Sequence, residues 1–509
     1  MLKKLFPYLF LLLLAIPIVG LPLLRLNPVD INSDVFQYVS LANYYLYFDH
    51  PQIRDAFTVG PVIPILLFCL KWLALQWFSW SAQLDITLVC LVSYLSYSAI
   101  VMSLLFISRK LGIPTVIGVL LGCLFLFFLP WDSEALSPNG ELVSSAFICL
   151  GLACYFGASA FTYKRLTTIA LLILVAFFTK VQSLPILILC IYCFAMPAKS
   201  KGQLITLCLL IGAIIEAILF YNGSGLLYHF QGLANYTAGQ STGALTYLKQ
   251  IPVRLAWIAN GTVQFFPLLL WIVLTQFFLG IRNTSTPSIS PNLFRFSTFW
   301  LWYGVCFVTV FLPNRFFPHY FLFFIPMVVL FSGYTARFLL TAPLKSHHTT
   351  ILVICIAALT CFKTAQVLPL QKSLQETAKI LYIPFALSPQ ADKVRMLIGT
   401  KGDNFYVHGW DYRYFAYLNK GYYGQPHLYS VQQNFQSPES YLAQLMQAPP
   451  QYILDSVEHS GFIRGANWRL TQHPVWAPMM ARCYVLSFDE AGLRLYERKS
   501  PLPSDCLVH

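Results

Sequence analysis

NPVDINSDVFQYVSLANYYLYFDHPQIRDAFTVGP, residues 27–61, decides how this chain is read. It follows an apolar run, yet it sets Asp30, Asp34, Asp49 and Asp55 among aromatics in a protein where only 10% of residues are charged. Ionisable groups near lipid are costly, so function is their default reading. Such a cluster at a helix exit, ahead of many more apolar runs, points to a reaction site at the membrane surface. A plain anchor or a uniform helix bundle has no need of it.

Composition agrees with a membrane setting. With 57% hydrophobic residues and a mean hydropathy of +0.63, the 509 residues are too apolar for an ordinary soluble globule. Apolar runs of the roughly 17–25 residues that a bilayer requires recur from Leu5 to about Val367. A net charge of +13 would point to nucleic acid in a soluble protein. Here much of the excess sits in short loops between apolar runs, where Lys and Arg mark the cytoplasmic side. Nucleic acid is therefore not an expected partner. The first run carries Lys3 and Lys4 like a signal peptide, but it lacks a small-residue cleavage site and many spans follow, so it reads as a retained helix.

The positive-inside rule gives a topology. Lys3 and Lys4 place the N-terminus in the cytoplasm, and a helix over about 5–25 delivers the aspartate-rich loop outside. The run Pro61–Trp80 holds Lys71 and begins with two prolines. If it spanned, Arg109 and Lys110 would fall outside; if it lies on or dips into the outer surface, they fall inside. The second scheme continues with spans at about 85–107, 112–130, 141–160, 166–180, 183–197, 203–221, 256–281, 296–312, 319–340 and 349–368. The expected fold is thus a polytopic α-helical membrane protein with about eleven transmembrane helices and a soluble α/β domain at its C-terminal, extracytoplasmic end. Residues 1–370 form the membrane domain, with a first outer loop over 26–84, and 371–509 the soluble domain. In that domain GDNFYV (402–407) and QYIL (451–454) read as strands, and SPESYLAQLMQ (437–447) as a helix capped by Ser437.

Cysteine usage adds little. Eleven of the thirteen cysteines lie in apolar runs, Cys190 and Cys193 among them, and read as small packing residues. Cys483 and Cys506 lie in the polar tail and can either pair in an oxidising compartment or remain free.

The polar groups that can carry chemistry fall on the outer side of this scheme. Asp30 and Asp34 are four apart and share a face if the exit continues as a helix. PWDSEALSPNGE (130–141) adds Asn139 and Glu141, Lys180 ends a span, and PNRFFPHY (313–320) adds Arg315, His319 and Tyr320. Carboxylates facing cations suit a reaction in which a base activates a hydroxyl and positive groups hold a departing phosphate.

Four stretches carry a family likeness: SDVFQYVSLANYYLY (33–47), PNGELVSSAF (138–147), RFFPHYFLFFIP (315–326) and YVHGWDYRYFAYLNK (406–420). Through them the chain resembles the GT-C membrane glycosyltransferases, a superfamily that includes the protein O-mannosyltransferases and the lipid A aminoarabinose transferase. The resemblance implies a glycosyltransferase of the bacterial inner membrane. Such an enzyme takes a hexosyl or pentosyl unit from a polyprenyl-phosphate donor and passes it, with inversion, to a cell-envelope glycan, lipid or protein outside the cytoplasm. It implies Asp34 as catalytic base or metal-linked acid, with Asp30 the nearest competitor and Glu141 beside Asn139 in the second acidic position. It implies Arg315 and His319, with Tyr320 and Lys180, on the substrate side near the lipid phosphate. Whether a divalent cation such as Mg²⁺ or Mn²⁺ takes part stays open. One departure is plain: where relatives carry an acidic–basic–proline or Lys-Gly-Pro element before the surface helix, this chain has Thr58-Val59-Gly60-Pro61.

Two other classes fit a many-span chain. A transporter or flippase of lipid-linked sugars would show paired half-structures and ionisable residues at mid-bilayer. A non-catalytic assembly protein of the same fold could dispense with Asp34, which is present.

Overall fold

The computed structural model describes residues 35–47, 60–127, 137–221, 251–258, 272–273, 296–311, 318–341, 389–399, 405–409, 411–420, 446, 449–458, 469–503 and 506. The chain divides into two compact units. One holds Met1–Leu26, Cys90–Gly212 and Lys249–Ile383, and the other Asn27–Val89, Ala213–Leu248 and Pro384–His509.

The first unit is helical. Ala82–Lys110 (α3) enters it at Cys90; Thr115–Phe127 (α4), Gly140–Phe156 (α5), Tyr163–Thr179 (α6), Leu184–Cys193 (α7) and Ala198–Tyr221 (α8) follow, then Phe296–Phe311 (α9) and Ile325–Thr341 (α10). Among the described residues, three helices are long and apolar enough to cross a membrane: Ala82–Lys110, Ala198–Leu219 and His319–Arg337. Shorter apolar helices accompany them, and the spans expected over 5–25 and 349–368 lie outside the described residues. Helices α5 and α6 pack along one another, and Ser144 Oγ donates to the Ala176 carbonyl across them at 3.0 Å. Ser145 Oγ donates to Leu322 O at 2.9 Å, tying α5 to a 3₁₀ turn over Pro318–Phe324 that leads into α10. Small hydroxyl residues let helices approach closely and bond across the gap. Lys180 stops α6: its backbone is extended (φ −153°, ψ 106°), and Pro185, in the first turn of α7, has no N–H to continue a ladder.

The second unit combines the first loop with the tail. Val35–Tyr47 (α1) and Val62–Leu75 (α2) belong to it, as does the start of α3 up to Val89. With 14 residues, α2 is about 21 Å long, well short of the hydrocarbon core of about 30 Å. It buries Ile63, Leu67 and Lys71, a stripe at four-residue spacing.

The tail supplies Pro389–Ile398 (α11), Arg413–Leu418 (α12), Ala477–Cys483 (α13) and four strands, Phe405–His408 (β1), Tyr452–Asp455 (β2), Tyr484–Glu490 (β3) and Leu493–Arg498 (β4). The sheet order is β1-β2-β4-β3, with β1 and β2 parallel and the remaining pairs antiparallel. The two expected strands are thus present one to three residues along, at 405–408 and 452–455; the helix expected over 437–447 lies outside the described residues except for Met446. The β3–β4 hairpin was not read from the sequence. It turns through Ala491 (φ 52°) and Gly492 (φ 81°), two left-handed residues whose twist suits a two-residue loop. At the exit of β1, Gly409 has φ +104°, and a Cβ there would lie 2.4 Å from Ser456 Oγ. Only glycine fits that position.

Cys483 and Cys506 form a disulfide, which resolves the choice the sequence left open. Closing a loop of 23 residues removes unfolded-chain freedom equivalent to about 3 kcal/mol in the chain-entropy account. Asp411 accepts from Arg413 Nε and, at 2.7 Å, from Nη2. Burial works against the Arg413 charge, but the Asp411 carboxylate more than offsets it and holds the guanidinium pKa above its ordinary value.

Candidate active site

In the first unit, an ion pair stands among apolar helices. Glu141 lies in the first turn of α5, where the positive end of the helix dipole favours a carboxylate, and its side chain is 1% exposed. Lys180 Nζ lies 2.9 Å from Glu141 Oε1 and keeps 19% of its side chain accessible. The lysine can reach the carboxylate because α6 ends at residue 180. It can come this close because residue 140 is a glycine: a Cβ there would sit 3.1 Å from Lys180 Cδ and 3.4 Å from the Thr179 carbonyl.

The 3₁₀ turn over Pro318–Phe324 brings up the aromatic side. Lys180 Nζ is 6.0 Å from the centre of the Tyr320 ring, at the outer limit of a cation–π contact. The His319 ring meets that of Tyr320 edge-on at 4.8 Å. Both residues are almost fully buried. Asn139 is buried at the N-cap position of α5, without a side-chain cap bond.

Of the eight site residues read from the sequence, the structure thus gathers Glu141, Lys180, His319 and Tyr320, with Asn139 two residues from Glu141. Asp30, Asp34 and Arg315 lie outside the described residues. Among the described residues no three His, Cys, Asp or Glu side chains come together as a metal set. Chemically, the group offers a partly accessible ammonium whose resting partner is a buried carboxylate. An incoming anion can share that ammonium. With its carboxylate already engaged by a lysine, Glu141 is placed to orient Lys180.

The second unit contains a polar centre that the sequence reading missed. Lys71 Nζ, from α2, lies 2.7 Å from Asp85 Oδ1 and donates to Asn419 Oδ1 at 2.8 Å and to Asn43 Oδ1. Asn43, on α1, donates Nδ2 to Lys420 O at 3.0 Å. Trp80 Nε1 donates to Asp85 Oδ2 at 3.1 Å. Lys71 and Asp85 are each 2% exposed or less. A single lysine in the apolar run of α2 and a single aspartate opening α3 were the available signal; their amide partners were not.

No protein-family model matches the sequence, and no curated protein matches it significantly. Solved structures do. They show that the chain has the GT-C fold. ArnT from Cupriavidus metallidurans, solved with undecaprenyl phosphate, matches 100% of both chains at 12% identity with a TM-score of 0.53. The oligosaccharyltransferase AglB from Archaeoglobus fulgidus, solved with an inhibitory peptide and dolichol-phosphate, matches 99% of this chain and 76% of its own at 12% identity and a TM-score of 0.52. An Archaeoglobus fulgidus oligosaccharyltransferase tethered to an acceptor peptide gives 0.52 at 11% identity, over 99% of this chain and 75% of its own.

Proposed function

We propose that the chain is an inverting membrane glycosyltransferase that moves a sugar from a polyprenyl-phosphate donor to an extracytoplasmic glycan, lipid or protein. The observation that carries this reading is the Glu141–Lys180 pair with His319 and Tyr320, held at helix ends inside a GT-C fold. The neighbours add support, since AglB and ArnT were each solved with a polyprenyl-type lipid phosphate. In the proposed reaction Asp34 takes the proton of the acceptor hydroxyl as its oxygen attacks the anomeric carbon. The bond from that carbon to the phosphate oxygen breaks, and its electron pair leaves with the lipid phosphate. Lys180 and Arg315 neutralise the charge that develops there, Arg315 through forked donors suited to phosphate. Attack opposite the departing oxygen inverts the sugar.

Deleting the gene should remove one sugar from an envelope glycan, lipid or protein and cause the matching polyprenyl-phosphate sugar to accumulate, both visible by mass spectrometry. An unchanged envelope with no accumulating donor would sink the transferase reading. Loss of transfer in the deletion strain with the donor confined to the cytoplasmic leaflet would favour a flippase.

The tail is proposed to face the extracytoplasmic side, with the N-terminus in the cytoplasm. The Cys483–Cys506 disulfide supports this, because such bonds persist in oxidising compartments. Met396 is 84% exposed on α11 and makes a suitable reporter. In a Cys69→Ser background, Met396→Cys should react with a membrane-impermeant maleimide on intact spheroplasts. Labelling only after permeabilisation would place the tail inside and undo the topology.

A further inference from the structure

We propose that Lys71 is a positioning residue for the first-loop carboxylate Asp34, acting through helix α1; this rests on the transferase reading above. Helix α1 begins at Val35, the residue bonded to Asp34 in the chain, so whatever fixes α1 fixes the point to which that residue is attached. What fixes it is a buried ammonium. A lysine has three donors, and Lys71 directs them to acceptors on three separate segments: Asn43 of α1, Asp85 at the start of α3, and Asn419 after α12.

Asn43 completes the connection, since its own amide donates to the carbonyls of Lys420, at 3.0 Å, and Phe415, at 3.4 Å. Asn419 is held in the left-handed conformation (φ 53°) that caps α12, and its side-chain oxygen meets the ammonium from there. A buried ion pair alone is weak evidence of a role, because apolar residues of similar volume often replace one without loss of stability. Three directional acceptors are different. They set the rotation and height of α1 against the tail, which apolar packing would leave free to slide. Catalytic geometry is sensitive at that scale: a misplacement of about 1 Å can cost about a hundredfold in rate.

Asn419→Gly isolates the link, because glycine keeps the left-handed backbone and deletes only the side-chain acceptor. The full chain would be assayed in nanodiscs with polyprenyl-phosphate sugar, turnover being normalised to sites counted by binding of polyprenyl phosphate. The expected result is a fall in kcat of about tenfold or more, with donor KM and site count within about twofold of wild type. Amide exchange over residues 35–47 should quicken. Lys71→Met combined with Asp85→Leu, an apolar replacement of the pair, should give a folded protein with the same kcat defect. Wild-type turnover in both variants would overturn the proposal. So would a loss of kcat matched by a loss of binding sites, which is the mark of a merely structural lysine. A wild-type protein that transfers no sugar would remove the transferase reading and this proposal with it, an outcome distinct from active wild type with unaffected variants.

Discussion

Asp34→Asn should lower sugar transfer by about 10²–10⁴-fold, the usual contribution of a positioned base, while leaving expression, insertion and polyprenyl-phosphate binding at wild-type levels. Asparagine keeps the size and most of the hydrogen bonding of aspartate and removes its basicity, so the substitution separates chemistry from folding. The expectation draws on the described site as well as on the family likeness. Glu141 is engaged with Lys180 at 2.9 Å, so the first-loop acid that the family likeness implies is preferred to it as the base. Asp30→Asn and Glu141→Gln, measured in parallel, apportion the role. If Asp34→Asn is near wild type and Asp30→Asn is dead, the base is four residues earlier in the sequence and the enzyme class stands. If all three variants stay active, the acidic face has no catalytic part, and a transport or scaffold role takes precedence.

The second large effect concerns Lys180. Lys180→Met should destabilise the protein by about 3–5 kcal/mol, because it leaves the Glu141 carboxylate buried without its cation. Adding Glu141→Gln should restore most of that loss, since the charge needing a partner is then gone. Thermal unfolding in a fixed detergent would show a large fall in midpoint for the single variant and recovery for the double. The double variant should still bind polyprenyl phosphate ten- to a hundredfold more weakly, about 1.5–3 kcal/mol being typical of a hydrogen bond to a charged group. A single variant that melts like wild type would mean that water or another cation serves Glu141. A double variant that binds the lipid phosphate like wild type would confine Lys180 to a structural role.

The helical unit was largely legible because its signal is coarse. A bilayer imposes long apolar runs, and the helix ends over 140–193 and 296–341 follow from where those runs meet Gly, Pro and charge. The grouping of Glu141, Lys180 and His319 was legible for the same reason: ionisable residues are scarce, and all three lie at helix ends. The second unit hid more. Its β3–β4 hairpin turns on Ala491-Gly492, which lacks the Asn-Gly or Asp-Gly signature, and β3 exposes Val485 and Leu486 one after the other instead of alternating. The Lys71 centre was illegible for a further reason. Two of its acceptors are asparagines, residues common in any loop or helix end, and one stands 348 positions away.

That separation bears on how the protein is made. Ribosomes add about 5–20 residues per second, so Lys71 leaves the ribosome roughly 20–70 seconds before Asn419 does. Throughout that interval the ammonium lacks one of its three acceptors, and Asn43 has no tail carbonyl to bind. The bonds between the first loop and the tail can therefore form only after residues 419 and 420 have been made. Translation halted anywhere before residue 419 would yield a chain that still carries Asp34 but lacks the tail's share of the bonds that hold α1.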